Sequence, residues 1–136
     1  MRRVSPAISL ISIACLFLLA CGGSSSLSSV SIAPSMADAQ NFPGGKVQFT
    51  ATGRFGMSSQ NVPLTSKDVA WCVGGPNGIC AGNTVVGSSV STSGLAECLP
   101  GFSGTQTILA GRGTPSMNPD AGWQMQVYGS ATLNCP

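Results

Sequence analysis

"KVQFTATGRF", residues 46–55, alternates apolar and polar side chains. Val47, Phe49 and Ala51 fall on one side, and Gln48, Thr50 and Thr52 on the other. Successive side chains of an extended backbone point to opposite faces, so this period of two predicts a strand with one buried face. Gly44-Gly45 turns the chain into it. Upstream, Val30 and Ile32 alternate with Ser31 and Ala33, which predicts a first edge strand that Pro34 ends or bends. Downstream, "DVAWCV" (68–73) sets Val69, Trp71 and Val73 on one face. Short strands also fit "NTVVG" (83–87), "SVSTSGLAEC" (89–98) and "TQTILAG" (105–111). One or two last strands cover "GWQMQVYGSATLNC" (122–135), with Gly129 a candidate bulge or bend. There is no long helical stripe, and Gly, Ser, Thr and Pro punctuate the chain every ten or so residues. That rhythm predicts an all-β sandwich or barrel of about seven antiparallel strands.

The segment ahead of this domain reads differently. Arg2 and Arg3 precede a mostly apolar, uncharged run over 4–20. A basic start and a short apolar run form the layout of a secretory signal. The fully apolar part, roughly 8–20, is shorter than the ~20 residues a spanning helix needs. "LLAC", residues 18–21, resembles the lipobox of bacterial lipoproteins. The resemblance implies cleavage before Cys21 and acylation of that cysteine, with Leu18 and Ala20 as recognition positions. Leu19 is bulkier than such motifs usually carry. The expected organisation is a signal over 1–20, a Gly/Ser tether over 21–29 and a single domain over 30–136. Several acyl chains on Cys21 would anchor it stably to a membrane. Gly22 in place of Asp points to the outer membrane.

Cleavage there also changes the charge. The whole chain carries +2, and Arg2 and Arg3 supply all of it. Lys46, Arg54, Lys67 and Arg112 then balance Asp38, Asp68, Glu97 and Asp120. A neutral domain lacks the basic footprint of a nucleic-acid or anionic-lipid binder, and no nucleic-acid partner is expected.

"SVSIAPS", "GGKVQFTATG", "KDVAW", "VSTSGLAE" and "GTQTILAG" occur in this order over 29–111. Together they resemble a group 2 bacterial immunoglobulin-like domain. The resemblance implies an immunoglobulin-like antiparallel sandwich used as a spacer or adhesive module on a cell surface. It departs from that family in the cysteine-bearing segment after Trp71, in "RFGMSSQNVP" after the second strand, and in "GRGTPSMNPDAGW" before the last. Trp71 matches the core tryptophan on the third strand of such sandwiches.

Cys72, Cys80, Cys98 and Cys135 remain in the mature domain. In an exported chain an even set reads first as disulfides, and four cysteines allow three connectivities. Cys72 and Cys80 in "WCVGGPNGIC" are symmetric about Pro76, so a hairpin there would set them opposite each other. That spacing favours Cys72–Cys80 with Cys98–Cys135. A Cys₄ zinc site wants closer pairs, and a redox dithiol wants C-x-x-C. No metal or cofactor is expected.

No histidine is present, which removes the commonest general base. The four carboxylates lie at expected turns or strand edges, and no catalytic residue is assigned. Partner contacts are placed at Asn118, Asp120 and Trp123, in and after the long loop before the last strand. Trp123 either offers a stacking face or packs against the sandwich rim. Phe42, Phe55 and Phe102 either form an apolar patch or close the ends of the sandwich. The expected function is a lipid-anchored envelope module that binds a surface protein or glycan, or serves structurally, without catalysis. The alternative is a ligand-carrying or hydrolase-like secreted lipoprotein, which would need an apolar cavity or two carboxylates within about 10 Å.

Overall fold

Val47, Phe49 and Ala51 are all buried while Gln48 and Thr50 are exposed, as the alternation requires. A computed structural model describes residues 26–115 and 123–136. In chain order the strands are β1 (Leu27–Ala33), β2 (Met36–Asp38), β3 (Lys46–Gln48), β4 (Thr50–Phe55), β5 (Val62–Leu64) and β6 (Ala70–Gly74). They continue with β7 (Ile79–Gly82), β8 (Thr84–Val85), β9 (Ser88–Val90), β10 (Leu95–Cys98), β11 (Gly104–Pro115) and β12 (Trp123–Cys135). In one layer β4 pairs with β1 and β5, and β3 pairs with β10, which pairs with β9 and then β8. The facing layer runs β6, β11, β12, β2. With β1, β3–β4, β10 and β9 opposed to β6, β11 and β12, the strand order is that of an immunoglobulin-like sandwich. Phe49, Ile108, Leu133, Val47 and Ala96 fill the space between the layers and are inaccessible to solvent.

Several elements differ from the sequence expectation, each for a local reason. The first strand starts at Leu27, inside the segment expected as tether, because Leu27 is buried and in register with Phe55. After Pro34 the chain crosses to the other layer, where β2 runs parallel to β12. Proline has no N–H for a ladder, which suits the crossing point. The single run 46–55 divides at Phe49, whose N–H donates to Gly94 O at 2.9 Å instead of to a neighbouring strand. "NVPL" supplies an unforeseen edge strand, β5, and Pro63 is tolerated there because an edge has a free side.

The stretch 89–98, expected as one strand, is the hairpin β9–β10. Its turn is built by Ser91, whose Oγ accepts from Leu95 N–H at 3.0 Å while its carbonyl accepts from Gly94 N–H at 3.0 Å. Gly94 has φ +83°, and a Cβ there would lie 2.6 Å from Phe49 O and 2.8 Å from the Trp71 ring. Gly94→Ala is therefore expected to destabilise the domain by about 3 kcal/mol, combining left-handed strain with overpacking. Urea unfolding should show a lowered midpoint at unchanged slope. A shift worth under about 1 kcal/mol would mean that the turn relaxes freely.

The last strand is one 13-residue element, paired with β11 along its length. The irregularity in that pair falls at Arg112/Gly113, not at Gly129. Gly129 lies opposite Ala110, and a Cβ on it would sit 2.9 Å from Val30 O. It marks the close approach of β1 to β12, not a bulge.

Both expected disulfides are present, Cys72–Cys80 and Cys98–Cys135, each with a Cα separation of 5.8 Å. The hairpin geometry around the first differs from the symmetric expectation. Gly74, not Cys72, lies opposite Cys80, and Gly75 N–H donates to Ile79 O at 2.9 Å. The turn is thus centred on Asn77. Asn77 and Gly78 have φ of 64° and 71°, the left-handed values that these two residue types tolerate and that proline cannot adopt. A register shift follows between Val73 and Gly74. β7 then leans across the outer face of the sheet to pair with β12 at Trp123↔Cys80. Under it Cys72, Cys80, Leu109 and Met125 form a second, smaller core, with Trp123 packed against it.

Candidate functional site

β1 begins, β4 and β11 end and β12 starts at one end of the sandwich. The turn at 65–68 leads into β6 at this end. Its geometry is set by Asp68, whose Oδ2 accepts from Thr65 N–H and Thr65 Oγ, both at 2.8 Å. Arg112 reaches the same turn from β11. Its Nε donates to the Asp68 carbonyl, its Nη2 lies 3.7 Å from Asp68 Oδ1, and its guanidinium sits 5.8 Å from the centre of the Phe55 ring. An open groove of about 390 Å³ lies beside this pair, lined among others by Lys67, Trp71, Asn83 and Trp123. Asn83 is structural: its Nδ2 donates to Trp71 O at 2.8 Å and to Val90 O at 3.2 Å.

Trp123 is half-buried against the small core and also lines the groove. Trp71 is buried in the main core as expected. Phe42, Phe55 and Phe102 are half-buried and pack against the main core from separate elements, so they close the sandwich instead of forming one exposed patch. Asn118, Asp120, Cys21 and the expected signal over 1–20 lie outside the described residues. The Arg112–Asp68 contact was not legible in the sequence. Its partners are 44 positions apart and meet only when β11 lies beside β6.

Each described carboxylate has its own partner. Glu97 pairs with Lys46 at 2.9 Å and accepts from Ser89 Oγ, while Asp38 caps Gln40 N–H and accepts from Asn134 Nδ2. Among the described residues, no three His, Cys, Asp or Glu side chains gather as a metal site. The hydrogen bonds from Thr65, with Arg112 and Lys67 nearby, hold Asp68 below its ordinary 3.8. Lys46, and then Ser89, hold Glu97 below its ordinary 4.5. A carboxylate with a depressed folded pKa contributes stability above its unfolded value and loses it as pH falls through the folded one. Stability should therefore fall from about pH 5 to about pH 3. Asp68→Asn combined with Glu97→Gln should flatten the profile. Chemical denaturation at the two pH values checks this, and an equally steep profile in the double variant would overturn it.

No family model matches the chain, and no curated protein is found to be similar to it. The fold and the geometry of this end carry the functional reading.

Proposed function

We propose that the chain is a cell-envelope lipoprotein, cut before Cys21 and acylated there, whose immunoglobulin-like domain acts as a non-catalytic binding, adhesive or structural module. The resemblance of "LLAC" to a lipobox and of the strand motifs to group 2 bacterial immunoglobulin-like domains supports this reading. The observation that carries it is the start of β1 at Leu27. Only residues 22–26 separate the acylation candidate from a strand in register with β4. A lipobox that leads so directly into a rigid sandwich suits a module held at a membrane surface. A core filled by Phe49, Ile108 and Leu133, and the partners held by Asp38, Asp68 and Glu97 among the described residues, favour a module over a ligand carrier or hydrolase. The outer membrane is the proposed location, following Gly22.

Metabolic labelling with an alkyne fatty acid tests this. Wild-type protein should carry the label on an N-terminal Cys21 peptide, and Cys21→Ser should accumulate as an unlabelled precursor. Cleavage elsewhere with no label on Cys21 would overturn the proposal.

A further inference from the structure

The balance of four cations against four anions hides a separation along the long axis. Arg54 is the penultimate residue of β4, Lys67 lies in the 65–68 turn and Arg112 lies in the last part of β11, just past its pairing with β6, so three of the four cations after Cys21 share the end where β1 begins with one described anion, Asp68. The far end, where β12 finishes at Cys135, holds Lys46 with Glu97 and Asp38. Asp120 lies outside the described residues. Arg54, Lys67 and Arg112 are all exposed.

The tether is fixed to this cationic end. Ser26 O accepts from Gly56 N–H at 2.8 Å, which pins the last tether residue to the β4–β5 turn. Next in that turn stands Met57, a large apolar side chain with its full surface in solvent, 104% relative exposure. Ser26 and Leu27 also share a shallow recess with Arg112. From Cys21 to Leu27 there are six Cα steps, which reach at most about 22 Å. The 13 residues of β12 span about 40 Å, so the far end stands well beyond that reach.

We infer that this end of the domain docks on the anionic lipid headgroups of the membrane that holds Cys21. Arg54, Lys67 and Arg112 face the phosphates, and Met57 enters the interface. The inference rests on the acylation proposed above and names the bilayer as the partner of the end that carries the Trp123 groove. Each cation brought to an anionic surface favours binding about fivefold. Counting Asp120, which the sequence places between β11 and β12, with this end leaves an excess of one, which biases this orientation roughly fivefold over the inverted one. The sheet edges and the far end are left facing away from the membrane.

The mature chain provides its own control, because its only lysines are Lys67 at the docking end and Lys46 at the far end. The intact lipoprotein is placed in vesicles of phosphatidylglycerol and phosphatidylcholine, treated with a membrane-impermeant amine reagent and read by peptide mass spectrometry. The Lys67-to-Lys46 labelling ratio should fall about fivefold relative to pure phosphatidylcholine vesicles. It should recover near 1 M salt, where screening shortens to about 3 Å. Arg54→Gln with Met57→Ser, two exposed changes, should restore much of the Lys67 labelling. The Cys21 peptide is read in the same digest. An acylated Cys21 with an unchanged ratio overturns this inference alone. An unmodified Cys21 overturns the anchor, and the docking with it. Protection of Lys67 in cells but not in anionic vesicles would mean that a protein covers this end, which also overturns it.

Discussion

Phe49→Ala is expected to lower the free energy of unfolding by about 4 kcal/mol, within the range for deleting a buried aromatic ring. Phe49 is fully buried and sits where the chain leaves β3 for β4. Its backbone is committed on both sides: the N–H donates to Gly94 O at 2.9 Å, and the carbonyl accepts from Gln48 Nε2 at 2.8 Å. The backbone is therefore held in place, and collapse into the vacated space is opposed. Cavity cost adds to the lost transfer energy when the surroundings cannot close. Against a typical domain stability of ~5–15 kcal/mol the loss is large. Guanidinium titration of the oxidised protein measures it, and the slope should stay constant because the surface exposed on unfolding hardly changes. Phe49→Leu should cost about 1–2 kcal/mol, since it restores most of the volume. A loss under about 1 kcal/mol for the alanine variant would mean that the crossover between β3 and β4 is not a packing centre.

The same residue shows how far the sequence reaches. Alternation placed Val47, Phe49 and Ala51 in the core because burial of one face is a local property, written every second residue. It did not reveal that the run divides at Phe49, because both halves keep the same alternation while their hydrogen-bond partners change. Pairing partners are non-local, and a period says nothing about them. The β9–β10 hairpin was missed for a related reason. "SVSTSGLAEC" contains alternating apolar residues on either side of Ser91-Thr92-Ser93-Gly94, and a four-residue Ser/Gly turn looks like polar strand positions until Gly94 is seen at positive φ. Pro76 drew the turn centre one residue too early, since the left-handed pair Asn77-Gly78 decides it. The candidate site was the least legible part. Trp123 was singled out for its place beside a long loop, but Arg112 and Asp68 come from distant segments and are joined only by the pairing of β6 with β11. Neutral composition likewise concealed that Arg54, Lys67 and Arg112 gather at one end, because composition sums over the surface and cannot show where the charges lie.

Removing the Cys98–Cys135 bridge is expected to cost about as much as removing Phe49, though by a different route. The link closes a loop of roughly 38 residues, and chain entropy then gives about 3.9 kcal/mol, against about 2.6 kcal/mol for the loop closed by Cys72–Cys80. It ties β10 in one layer to the last strand position of the other, and Cys135 is buried beside the β11 start, opposite Gly104. In the native state the bridge also secures the C-terminus, which would otherwise fray from β11. The double variant Cys98→Ala/Cys135→Ala should therefore show two signatures: a stability loss near 4 kcal/mol and early amide exchange at 130–135 in the folded protein. Cys72→Ala/Cys80→Ala should leave exchange at 130–135 unchanged. Its own loss has two sources, because Cys72 and Cys80 also pack against Leu109 and Met125, so side-chain volume disappears along with the cross-link. Reduction of the wild-type short bridge separates them, since it opens the link while leaving both sulfurs in place. The long bridge is the dominant staple if its removal destabilises more than opening the short one by roughly 1 kcal/mol, the difference in loop entropy. Equal losses on opening the two links would show that the unfolded chain is already compact enough to hold Cys98 near Cys135, and the entropic account would fail.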